Sequence, residues 1–138
     1  VEAGAEDVPL LAASFAKPVL TLQTDLALRK ATLYDTAFAG GYARRVTFVY
    51  AFADGQTLTA ESIRPVAAAT LLGGGGYSLS INQRYTMAGL DAVRMDSAST
   101  ICVFAKGEGA VYAINCPKAH QEELPQLLKS LLLMMPAT

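Results

Sequence analysis

The chain has 138 residues, enough for one domain with a substantial core, so 1–138 is expected to fold as a single unit. Hydrophobic residues make up 52% and charged residues 17%, with 11 basic and 12 acidic side chains interspersed and a formal net charge of −1. That balance offers no basic patch, and it argues against nucleic acid or an anionic membrane surface as the partner.

The opening, 1–7, lacks Met and is small and acidic. It fits a mature chain from which a signal or lipoprotein leader has been removed, and equally a boundary set elsewhere. Membrane association is then expected only through such a removed lipid anchor. Residues 7–16 predict a short helix, with Asp7 as N-cap and Pro9 in the first turn. Residues 19–25 alternate Leu20 and Leu22 against Thr21 and Gln23, which predicts a strand. Residues 26–34 fit a strand or a helical turn, and strand is favoured. Residues 36–41, with Gly40-Gly41, predict a loop.

Residues 42–53 predict a long strand, with Val46, Phe48, Tyr50 and Phe52 on one face. Ala53-Asp54-Gly55-Gln56 is a turn signal and 57–60 the returning arm. Ser62 is suited to cap a helix over 63–72, with Pro65 in its first turn and Gly73 past its end. A four-glycine break, 73–76, follows. Residues 77–85 alternate cleanly, and 87–95 predict one more strand after a bend at Gly89. Two β-rich runs, 100–105 and 110–115, are joined by Lys106-Gly107-Glu108-Gly109 and predict a hairpin central to a sheet. Leu124, Leu127, Leu128, Leu131, Leu132 and Met135 fall on one helical stripe. It predicts a helix from Glu123 to the end, laid on that hairpin's sheet and too short for the ~20 residues a membrane span needs. The expected fold is therefore α+β: a single antiparallel sheet of about six strands with packed helices, the C-terminal helix covering one face.

Little in the sequence carries chemistry. The glycine run opens a strand and lacks the Lys-Ser/Thr pair of a phosphate loop. His120 is the only histidine, and a zinc site needs three or four ligands. No G-x-S-x-G is present, and the carboxylates, Glu61 among them, are scattered as solvated surface acids would be. Cys102 and Cys116 would face each other across a five-residue loop but not across a two-residue turn, so a disulfide stays open. No cofactor or metal is expected, and no catalytic residue is assigned. Two loops suit insertion into a partner, which makes Gly40, Tyr42, Arg44, Gly74, Gly75 and Tyr77 the candidate partner-binding residues. Arg44-Arg45 beside Tyr42 reads either as a recognition edge or as the polar end of a strand.

From Gly89 to Leu133 the order Gly-Leu-Asp-Ala, strand, Lys-Gly-Glu-Gly, Val-Tyr-Ala-Ile-Asn-Cys-Pro, helix, Leu-Leu-Lys-Ser-Leu is similar to the end of the PsbP-like superfamily. Tyr112 and Ser130 match positions of that pattern; the first half of the chain does not match, and no functional residue carries over. The resemblance implies an α+β sandwich with a non-catalytic, protein-binding role, commonly outside the cytoplasm. Together these readings lead to an exported, periplasmic protein-binding module, not an enzyme. Its sharpest form is an immunity protein that inhibits a secreted toxin enzyme by direct binding. The alternative is a small carrier of an apolar ligand or lipid in the bacterial envelope, and a third reading is an enzyme with an unrecognised carboxylate or tyrosine site.

Overall fold

The computed structural model describes residues 2–3, 15, 19–22, 26–38, 41–64, 78–96, 99–107 and 109–134. Among these residues ten strands run in chain order: β1 (Glu2–Ala3), β2 (Val19–Leu22), β3 (Ala27–Phe38), β4 (Gly41–Ala51), β5 (Thr57–Arg64), β6 (Ser78–Met87), β7 (Leu90–Asp96), β8 (Thr100–Lys106), β9 (Val111–Pro117) and β10 (Leu131–Met134). A 3-10 turn (Lys118–Glu123) and one short helix, α1 (Leu124–Lys129), separate β9 from β10. The strands form an eight-stranded antiparallel sheet, ordered β1-β3-β4-β5-β9-β8-β7-β6, and a two-stranded sheet of β10 and β2. Two meanders, β3-β4-β5 and β6-β7-β8-β9, thus meet where β5 pairs with β9.

This corrects the expected α+β class. The described chain is mostly β, with seven full strands and the two-residue β1 in its main sheet. The long C-terminal helix is replaced by a single turn and a half. Three of its apolar residues behave as expected: Leu124, Leu127 and Leu128 are buried on one side of α1. The helix then stops at Ser130, whose N–H donates to the carbonyls of Gln126 and Leu127 and whose hydroxyl donates to Gln126 O at 3.1 Å. Beyond it, Leu131–Met134 is a continuous apolar run that suits a buried strand as well as a helix. β2 supplies the backbone partners, pairing Leu131 with Leu22 through to Met134 with Val19.

A second correction concerns residues 62–64. Ser62, Ile63 and Arg64 do not open a helix; they continue β5 and pair with Val46, Arg45 and Arg44 of β4. The Ser62 hydroxyl is used across the layers instead, accepting the Leu20 N–H at 2.8 Å. Likewise residues 36–38 belong to β3 and not to a loop, since Thr36 pairs with Ala43 and Phe38 with Gly41. Thr and Phe favour a pleated strand. The helix expected over 7–16 lies outside the described residues except at Phe15, which is buried and accepts a hydrogen bond from Arg64 Nε at its carbonyl. The rest of the helix over 63–72 and the glycine run 73–76 also lie outside them.

Several turns follow the sequence closely. The β8–β9 loop spans Gly107 to Ala110, between the two lengths considered, and closes with the Gly107 N–H donating to Ala110 O at 2.9 Å. A Cβ on Gly107 would stand 2.8 Å from the Tyr112 ring, so only glycine lets that ring close over the turn. This length pairs Cys102 with Asn115 and Cys116 with Ile101, on opposite faces. Both thiols are buried and free, and no disulfide joins them.

One face of the main sheet carries Val46, Phe48 and Tyr50 of β4, Leu58 and Ala60 of β5, Tyr112, Ile114 and Cys116 of β9, and Ile101 and Val103 of β8. The small sheet and α1 cover it with Val19, Leu20, Leu22, Leu124, Leu127, Leu128 and Leu131. Each large side chain buried here contributes about 1.5–3 kcal/mol. Two hydrogen bonds pin the layers together: Leu20 N–H to Ser62 and Leu22 N–H to the Tyr50 hydroxyl at 3.3 Å.

Ser62→Ala tests this pinning. It leaves the buried Leu20 N–H without its acceptor, so denaturant unfolding is expected to show a loss of about 1–3 kcal/mol. A change below about 0.5 kcal/mol shows that the hydroxyl is not what joins the layers.

Candidate partner-binding surface

The β3–β4 hairpin is built to project. Its register runs unbroken from Lys30↔Val49 to Phe38↔Gly41, after one irregularity at Leu28/Lys30. β5 stops following it at Arg44↔Arg64, so among the described residues the last pairs, Thr36↔Ala43 to Phe38↔Gly41, continue beyond the body of the sheet. Tyr42 stands on this arm at 77% exposure, the most exposed large hydrophobic side chain among the described residues. Two residues along, Arg44 points to the same face. Its guanidinium grips Asp35 of β3 with two hydrogen bonds, Nε to Oδ1 at 2.9 Å and Nη2 to Oδ2 at 3.2 Å. That contact holds the Asp35 carboxyl below the usual carboxylate range and raises the Arg44 value. Arg64 stands opposite Arg44 across the β4–β5 ladder and adds a second cation near Asp35. The arm therefore presents a phenol beside a mostly positive, pre-ordered charge cluster.

Of the candidate residues, the structure brings Tyr42 and Arg44 together on one strand face. Gly40, Gly74, Gly75 and Tyr77 lie outside the described residues. Tyr34 adds to the surface from the opposite side of the arm: it is 40% exposed, and the Arg45 guanidinium lies 5.8 Å from its ring centre.

Glu61, expected as a solvated surface acid, and His120 both have structural roles. Glu61 is 6% exposed, not solvated. Its carboxylate is paired with Arg45 and accepts Asn115 Nδ2–H at 3.2 Å, tying β4, β5 and β9 together on the uncovered-core side of the sheet. The sequence hid this because β5 was expected to end at Ala60. His120 is not a bland surface imidazole. Its ring stacks on Phe52 with centroids 3.7 Å apart and planes 6° from parallel. Its Nε2 meets Asp54 Oδ2 at 2.8 Å and its Nδ1 meets Glu123 Oε1 at 2.9 Å. The β4–β5 turn holds Asp54 ready: Gly55 takes a positive φ of 88°, and Asp54 Oδ1 accepts the Gln56 N–H at 2.9 Å. Only a protonated imidazole donates from both nitrogens, so the two carboxylates, Glu123 first, raise the His120 value. The carboxylates sit at opposite edges of the ring and cannot converge on one metal ion. A partner 66 residues away leaves no signal in the sequence.

Several other ionisable groups among the described residues are paired or masked by burial. Arg94 holds Asp96 through two hydrogen bonds of 2.8 and 2.9 Å and donates to the Tyr85 hydroxyl at 3.2 Å. Burial pushes the Cys116 thiol up to about 11 and raises Cys102 further, with Glu61 adding to the latter, so neither is a thiolate near neutral pH. Burial also lifts the Tyr112 phenol to about 12.

No protein-family model, curated protein or solved structure matches this chain.

Two measurements check these assignments. Glu61→Leu strands the Arg45 charge and is expected to cost about 3–5 kcal/mol, while adding Arg45→Met restores most of it; a double variant no better than the single one refutes the pairing. His120 has a raised folded-state value, so its stabilisation is full below the free imidazole value and fades as pH rises through the folded one. Asp54, lowered by Gln56 and His120, loses its part only in acid. The wild type is thus expected to melt higher at about pH 5.5 than at about pH 8.5. His120→Phe, which keeps the stack on Phe52, is expected to shrink that difference, and an unchanged pH profile rules the clasp out.

Proposed function

We propose that this chain is a non-catalytic protein-binding module that offers the β3–β4 arm to another protein. The observation that carries this reading is Tyr42, left almost fully exposed at the end of a locked hairpin, beside a guanidinium already held in place by Asp35. A free side chain loses rotamer entropy when a partner immobilises it; a pre-ordered Arg and a rigid phenol lose less. Tyr and Arg are also the residue types that most often anchor interfaces. With Arg44 and Arg64 near a single carboxylate, the partner surface that fits is acidic and has a slot for an aromatic ring. A secreted toxin enzyme whose active-site mouth has that character is the sharpest form of the proposal, with the arm as the plug of an immunity protein. A place outside the cytoplasm is supported by the resemblance over 89–133.

The test is loss of capture by point variants. The immobilised chain is expected to retain a defined protein from its own cell extract, and Tyr42→Ala and Arg44→Glu are each expected to weaken that retention by about tenfold or more. Tyr42 is exposed and Arg44 is half-buried in a surface ion pair with Asp35, so melting temperatures should fall by no more than a few degrees. Undiminished retention by both variants contradicts the arm as the binding surface.

A further inference from the structure

The opposite edge of the main sheet carries a second surface of different chemistry, independent of the arm. The β6–β7 turn, α1 and β10 enclose an open groove of about 350 Å³. Among the described residues its walls are Ala88, Leu128, Leu131 and Leu133, with Thr86 and Lys129 at the rim. The volume lies at the small end of the range for small-molecule sites, about 300–1,000 Å³. It suits one acyl chain and not a two-chain lipid.

Two observations say what the groove is suited to hold. The first is charge. Lys129 is exposed at the rim, and among the described residues no carboxylate pairs with its amine, whereas Lys118 reaches Asp96 at 3.9 Å. An apolar wall with one ammonium at its mouth is complementary to an amphiphile with one negative head. The second is Ala88. It sits at φ +52°, followed by Gly89 at φ +82°, in a two-residue hairpin turn. Asn, Asp or Gly is ordinary at such a position, and a residue with a Cβ and no polar side chain is strained there. The chain nevertheless places a methyl group, on a residue that lines the groove. The strained choice adds no polar side chain to the lining.

We propose that this groove binds a single-chain carboxylate amphiphile of the fatty-acid class, its chain along Ala88, Leu128, Leu131 and Leu133 and its carboxylate on Lys129. The probe is dodecanoate, titrated calorimetrically into the whole chain below its micelle concentration. Saturable one-to-one binding is expected, with the backbone amide signals of Ala88 and Leu131 shifting together. Lys129→Met is expected to weaken dodecanoate binding about tenfold and to leave dodecanol binding unchanged, because only the charged hydrogen bond is lost. Ala88→Asn is expected to weaken both ligands several-fold and yet raise the melting temperature, since Asn accepts the left-handed backbone. A gain in stability with a loss of binding cannot come from misfolding. No saturable binding of dodecanoate, equal affinity in the wild type and both variants, or association only with anionic phospholipid vesicles would overturn the proposal.

Discussion

Everything in this fold depends on the seam where β5 pairs with β9. Five consecutive pairs, Thr59↔Asn115 to Ile63↔Val111, join two meanders that otherwise share no ladder. On one side of the seam, Ser62 accepts the Leu20 N–H and Tyr112 and Ile114 enter the core. On the other, Glu61 collects Arg45 from one meander and Asn115 from the other. A buried ion pair is a poor source of net stability. Here it serves a second purpose: a slip of one residue along the seam would turn Glu61 into the apolar core and Ser62 away from Leu20, so the pair makes wrong registers costly.

With the seam fixed, the rest of the geometry follows. Among the described residues, the first meander extends its β3–β4 hairpin past the last β4–β5 pair and presents Tyr42 and Arg44 there. The second meander delivers β9 into the 3-10 turn, where His120 fastens onto Phe52 and Asp54 of the β4–β5 turn. That fastening sets the direction in which α1 leaves, and α1 with β10 then forms one wall of the apolar groove. The two proposed binding surfaces are thus carried by different meanders and share only the core between them.

Much of the sheet was readable in the sequence, and the reasons are local. The turns at Asp54-Gly55 and Gly107–Ala110 carry their own glycine chemistry, and alternating runs such as Val46, Phe48 and Tyr50 name the core face without help. The failures fall where a distant partner decides. Ser62 looks like a helix cap until Leu20, 42 residues away, takes its hydroxyl. Leu131–Met134 looks like more helix until β2 offers a strand edge. Of the candidate surface, the closeness of Tyr42 and Arg44 was visible in the sequence, where it read either as a recognition edge or as the polar end of a strand. Their ordering by Asp35, the burial of Glu61 and the bridging of His120 were not, because each depends on pairing across strands or turns.

The central claim is that the β5–β9 seam makes one cooperative unit of the two meanders. Native-state hydrogen exchange followed residue by residue tests it most directly. The account predicts that the seam-strand amides of Ala60, Ser62, Tyr112 and Ile114 exchange only through global unfolding, with the same denaturant dependence in both meanders. Exchange at the seam through a local opening, while β3–β4 and β7–β8 stay separately protected, would contradict it.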